Sequence, residues 1–96
     1  MPFEWAPIKD KANREKHGLP FHEAKELFTS GNDFLEIYDE EHSDEEDRFI
    51  AIGPIRGGVI VVIYTEPQEE VIRIVSARKA NKKETMLFNQ HNREHQ

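Results

Sequence analysis

The chain predicts an α+β domain: two N-terminal helices, a four-stranded antiparallel sheet and a C-terminal helix. Three observations carry this. Apolar residues at helical spacing occur only towards the two ends of the chain. Between them lie apolar, β-branched runs whose links are shorter than the dozen residues a parallel crossover needs. The 96 residues contain no cysteine, so one small core must hold the fold without disulfides, and a thiolate metal site is excluded.

Residues 7–17 read as the first helix, because Pro7 suits a first helical position and Gly18 a left-handed residue just past the end. Its apolar stripe is thin: Ile8, Ala12 and the stem of Glu15. Residues 20–28 read as a second helix, with Phe21, Ala24, Leu27 and Phe28 on one side. The run 29–32 (TSGN) breaks the chain. Residues 34–38 alternate as a strand, with Phe34, Glu36 and Tyr38 on one face and Leu35 and Ile37 on the other. Residues 48–54 form the next strand, and Gly57-Gly58 turns into 59–65, which is apolar on both faces and suits a central strand. Pro67 helps residues 66–70 turn, and 71–77 is the last strand. The closing helix starts at Asn81, which with Glu84 three residues later makes a capping-box pattern. Met86, Leu87 and Phe88 are expected to pack on the sheet, and the polar end, 89–96, to fray. No internal repeat or linker divides residues 1–96.

The net charge of −6 is unevenly spread. Residues 1–30 are balanced, 31–70 carry twelve acidic and two basic side chains, and 71–96 carry six basic and two acidic. Indiscriminate nucleic-acid binding is disfavoured by this total, but a local basic site is not, and the acidic middle suits a basic protein partner. The start of the chain has no secretory pattern, and the longest apolar run, 59–64, is too short to span a bilayer. A cytoplasmic protein without a membrane segment is expected.

Arg73, Arg78, Lys79, Lys82 and Lys83 gather where the last strand leads into the closing helix. Arginine forks match phosphate oxygens, although the same pattern fits a solvated strand end. Arg73 and Arg78 have opposite parity in an ideal strand, so they share a face only if the strand bulges. His17, at the end of the first helix, is the histidine best placed for proton transfer at neutral pH. The acidic run DEEHSDEED at 39–47 lacks the glycine and ligand order of a calcium loop. His91 and His95, four apart, lack a third ligand. No metal and no cofactor are expected.

Several pieces occur in order: Phe3-Glu4-Trp5, Lys16-His17-Gly18, Phe21 with Ala24, Phe28, His42-Ser43, Arg48 with Ile52-Gly53, Val61-Val62 and Tyr64-Thr65. The most specific is IRIVSARKA at 72–80, followed by Glu84. As an ordered set they resemble the BrnT family of type II toxins, whose compact fold is related to the RelE ribonucleases. The resemblance implies an RNA-cleaving toxin held inactive by a BrnA-like antitoxin similar to ribbon-helix-helix DNA-binding proteins. DNA would be met only indirectly, through the complex. Two positions depart from the expected pattern: Pro67 stands where relatives would carry an arginine, and Phe88 where they would carry a tyrosine. Cleavage without a metal, by attack of the RNA's own 2′-hydroxyl, needs cations at the phosphate and groups that move protons. Arg48, Arg73 and Arg78 are the candidates for charge stabilisation, and His17 or Lys79 for proton transfer. Thr65 would hydrogen-bond the phosphate, and Lys16, Lys82 and Lys83 would hold RNA. The competing reading is a non-catalytic module or decayed toxin whose basic edge docks an acidic protein.

Overall fold

Pro7 and Gly18 bracket the first helix as their backbone chemistry dictates. In the computed structural model, which describes residues 2–94, α1 spans Pro7–His17, and Gly18 at φ 71° returns its N–H to the Arg14 carbonyl. The stripe expected on α1 is corrected, because Ile8 is 77% exposed and the buried side chain is Asn13. The span expected as one second helix is two single turns, α2 (Phe21–Ala24) and α3 (Glu26–Thr29). The Phe28 N–H bonds the Lys25 carbonyl, three residues back. This tighter winding aligns Phe21, Ala24 and Leu27, spaced by three, and all are buried.

The sheet has five strands, not four: β1 (Phe3–Glu4), β2 (Leu35–Tyr38), β3 (Arg48–Ile55), β4 (Gly58–Gln68) and β5 (Val71–Lys79), in spatial order β1-β5-β4-β3-β2. The last four form the expected antiparallel meander, with β4 central. The added strand, β1, pairs in parallel with β5 at Ile72 and Arg73, and two residues carry no periodicity to read. β4 extends through Pro67, where a turn was expected, to Gln68. Pro67 falls in the unpaired stretch between the Thr65–Arg73 and Gln68–Val71 pairs, where a missing N–H costs no ladder bond.

Each face of the sheet carries its own core. Ala51, Ile60, Val62, Tyr64, Ile72, Ile74 and Ala77 meet the α1–α3 layer, into which Phe21 and Leu27 insert. A fully buried side chain of that size contributes roughly 2 kcal/mol. On the opposite face, Ile52 and Val61 pack under Phe88 of α4 (Lys82–Glu94). The capping box forms: the Glu84 N–H donates to Asn81 Oδ1 at 2.8 Å, and the Asn81 N–H to Glu84 Oε1 at 2.9 Å. α4 runs to Glu94, and residues 95 and 96, and so His95, lie outside the described residues. One expectation about α4 is overturned. Met86 and Leu87 are 62% and 43% exposed, because Glu84, Thr85, Phe88, His91 and Asn92 form the inward stripe.

Candidate active site

β5 contains the bulge that the arginines require. Ile63 of β4 pairs with Ser76, but its neighbour Tyr64 pairs with Ile74, leaving Val75 as an extra residue. One inserted residue reverses the alternation beyond it. Ile72, Ile74 and Ala77 therefore all face the α1–α3 core, while Arg73 and Arg78 share the face that carries α4.

On that face a row of polar side chains crosses four strands. Arg48 of β3 pairs with Thr65 of β4, Thr65 with Arg73 of β5, and Arg73 with Glu4 of β1. Strands lie about 4.8 Å apart, which puts the two arginine backbones roughly 10 Å apart with Thr65 between them. Guanidinium groups from both sides can close on one phosphate at that separation. Thr65 is fully buried. Its Oγ1 and the Arg48 Nε are buried donors with no hydrogen-bonding partner among the described residues. Native structures rarely leave such groups unmatched, and an anion's oxygens are acceptors for both. Arg73 Nη2 lies 3.3 Å from Glu4 Oε1, and both side chains are about half exposed. A depression of about 460 Å³ opens here, lined by Glu4, Trp5, Lys9, Glu46, Arg48 and Arg73 among others.

The other expected site residues lie elsewhere. Arg78 stands opposite Val61, four residues along β4 from Thr65, or roughly 13 Å at about 3.3 Å per residue. Its guanidinium is held bidentately by Glu84, with both N···O distances 2.7 Å. The Glu84 hydrogen bonds raise the Arg78 pKa further. In return, the Arg78 hydrogen bonds hold the Glu84 carboxyl below its usual range, helped by the Asn81 N–H and opposed by partial burial. Arg78 thus ties β5 to the start of α4. His17 and Lys79 do meet, across a cavity of about 530 Å³ that also takes in Glu23, Glu26 and Arg56. Lys79 is paired with Ile60 on the α1–α3 face, so this cavity is on the other side of the sheet from the row. Lys16 and His17 line a smaller depression of about 220 Å³ with Lys9 and Val75. The depression beside Lys16 shares Lys9 and Val75 with the one at Arg73, and His17 with the cavity at Lys79. Lys82 and Lys83 line the outer side of α4 beside Met86 and Leu87.

The catalytic set expected from the sequence is therefore divided: Arg48 and Arg73 together, on either side of the RNA-binding candidate Thr65, His17 with Lys79 on another cavity, and Arg78 engaged by Glu84. Sequence reasoning gave no role to Glu4, Lys9 or Arg56. Glu4 is brought in by the parallel pairing of β1, which no periodicity announces.

The fold and the row define a small α+β protein with two arginines on either side of a buried threonine on one sheet face. A family model described as "Ribonuclease toxin, BrnT, of type II toxin-antitoxin system" matches residues 5–84. The crystal structure of the Brucella abortus ribonuclease toxin, BrnT, is similar, with a TM-score of 0.64 and 30% identity. That match covers 85% of this chain and 99% of the Brucella chain. No curated protein sequence matches. The chain belongs to the BrnT family of ribonuclease toxins of type II toxin–antitoxin systems.

Proposed function

We propose that this chain is an active, metal-independent endoribonuclease whose phosphate-binding centre is the Arg48–Thr65–Arg73 row. The observation that carries the reading is the pair of buried, unmatched donors on Arg48 and Thr65, in a row with Arg73 beside the depression that both arginines line. Arg48 and Arg73 would hold the scissile phosphate and stabilise the charge that develops as the RNA's 2′-hydroxyl attacks. Lys16, His17 and Lys79, along the edge of β5, would hold the flanking strand. Arg78 would act through the position of α4. Phe88 does not weaken this reading: it is buried against Ile52 and Val61, and Val61 is four residues along β4 from Thr65.

The test is cleavage of a long single-stranded RNA by the purified protein in chelator, beside Arg48→Ala and Arg73→Ala. The parent is expected to cut, and each variant to lose about a hundredfold or more in rate. Intact RNA with the parent, restoration of cutting only by added metal, or a folded Arg73→Ala at the parent rate would each overturn the reading.

A BrnA-like ribbon-helix-helix antitoxin is the proposed neutralising partner. The family is that of type II toxins, and the twelve acidic side chains of residues 31–70 would meet its basic residues. Co-expression of such a protein encoded beside this one should restore growth and co-purify with the toxin. Failure of both would remove it as the partner.

A further inference from the structure

The phosphate row has cations but, with His17 and Lys79 across the sheet, no expected base. Resting on the reading above, we propose that Glu4 is the group that takes the proton from the attacking 2′-hydroxyl. Four observations place it. Glu4 continues the row directly, as the residue paired with Arg73. Its carboxylate is oriented by Arg73 Nη2 at 3.3 Å. It is about half exposed and lines the same depression as Arg48 and Arg73. It stands on a strand, whereas Glu46, the other carboxylate there, stands on a loop outside any strand or helix.

The step balances within the site. The Glu4 carboxylate accepts the 2′-hydroxyl proton as the 2′-oxygen forms its bond to phosphorus. The bond from phosphorus to the 5′-oxygen breaks, and that oxygen takes a proton from the ammonium of Lys9, the one lysine lining this depression. The products are a 2′,3′-cyclic phosphate and a 5′-hydroxyl end. Arg73 serves twice, fixing the base through one edge of its guanidinium and the phosphate through the other.

The experiment is kcat/KM against pH for cleavage of single-stranded RNA in chelator, by the parent, Glu4→Gln and Glu4→Asp. Binding of a 2′-deoxy oligonucleotide, which cannot be cut by this route, and thermal melting are measured alongside. A general base must be deprotonated, so the parent rate should fall on the acid side. Glu4→Gln should lose about a hundredfold in rate and lose that acid limb, while binding the deoxy oligonucleotide at least as tightly. Glu4→Asp, which keeps a carboxylate, should recover part of the rate and the acid limb. A folded Glu4→Gln that cuts within threefold of the parent, or keeps the acid limb, overturns the role of Glu4 while leaving the phosphate row standing. A parent that cuts no RNA overturns both readings. If Glu4→Gln and Glu4→Asp lose activity only in proportion to lost folding, Glu4 is structural and the proposal fails.

Discussion

The Asn13 carboxamide donates to the carbonyls of Leu19 and Ala77 at 2.9 and 2.8 Å and accepts the Ala77 N–H at 3.1 Å. It thus occupies the outer edge of β5 as a strand would, further along the edge that β1 covers at Ile72 and Arg73. The bulge at Val75 lies between these two covers, and there the edge opens into the depression beside Lys9 and Lys16. Replacing Asn13 with Ala would leave buried backbone groups unmatched at about 1–3 kcal/mol each. With three groups affected the expected cost is about 3 kcal/mol or more, read as a lower denaturation midpoint with unchanged slope. A variant as stable as the parent would show that water satisfies those groups. This role was not legible in the chain, because an asparagine inside a helix ordinarily reads as a surface residue. His17, by contrast, was placed correctly at its helix end, since Gly18 fixes that end through backbone conformation alone.

Elements whose ends are set by local chemistry were legible, and those set by tertiary packing were not. The capping box of Asn81 and Glu84 predicted where α4 starts, and the α4 end at Glu94 went unread because its support comes from contact with β2 and β3. Glu84 also carries Arg78, so its removal takes away a cap and a bidentate ion pair together. Glu84→Ala should cost about 1–2 kcal/mol, measured by thermal melting. The sign with pH follows from its depressed pKa. The stabilisation is complete above the unfolded carboxyl value of about 4.3 and is lost as pH falls through the lower folded value. The gap in melting temperature between parent and Glu84→Ala should therefore narrow below about pH 4. A gap that persists at low pH would assign the effect to packing alone. Gly53 is a second element-scale test. A Cβ there would meet Leu27 Cδ1 at 2.6 Å and Phe34 Cβ at 2.7 Å, the approach that seats α3 on β3. Gly53→Ala should destabilise by roughly 1–3 kcal/mol through overpacking, and a neutral result would mean that α3 shifts freely.

At the scale of the whole molecule, a protein of net charge −6 must hold a polyanion locally or not at all. α1 supplies Lys9, Lys16 and His17 beside the bulge of β5, and the depression they line has no carboxylate among its lining residues. The neighbouring depressions carry Arg48 and Arg73 with Glu4 and Glu46 on one side, and Lys79 with Glu23 and Glu26 on the other. From Arg73 to Lys79 is six residues of β5, roughly 20 Å at about 3.3 Å per residue, enough for several linked phosphates. Each phosphate neutralised on a single strand adds about −0.7 to the slope of log affinity against log salt. A Lys9→Ala, Lys16→Ala double variant should flatten that slope by about 1.4 for a 2′-deoxy oligonucleotide. The Lys82→Ala, Lys83→Ala pair probes the alternative path along the outer side of α4. If the strand follows the edge of β5, only the first pair changes the slope. A loss confined to the second pair would route the RNA over α4, and would leave the cations beside α1 to a protein partner with an acidic segment.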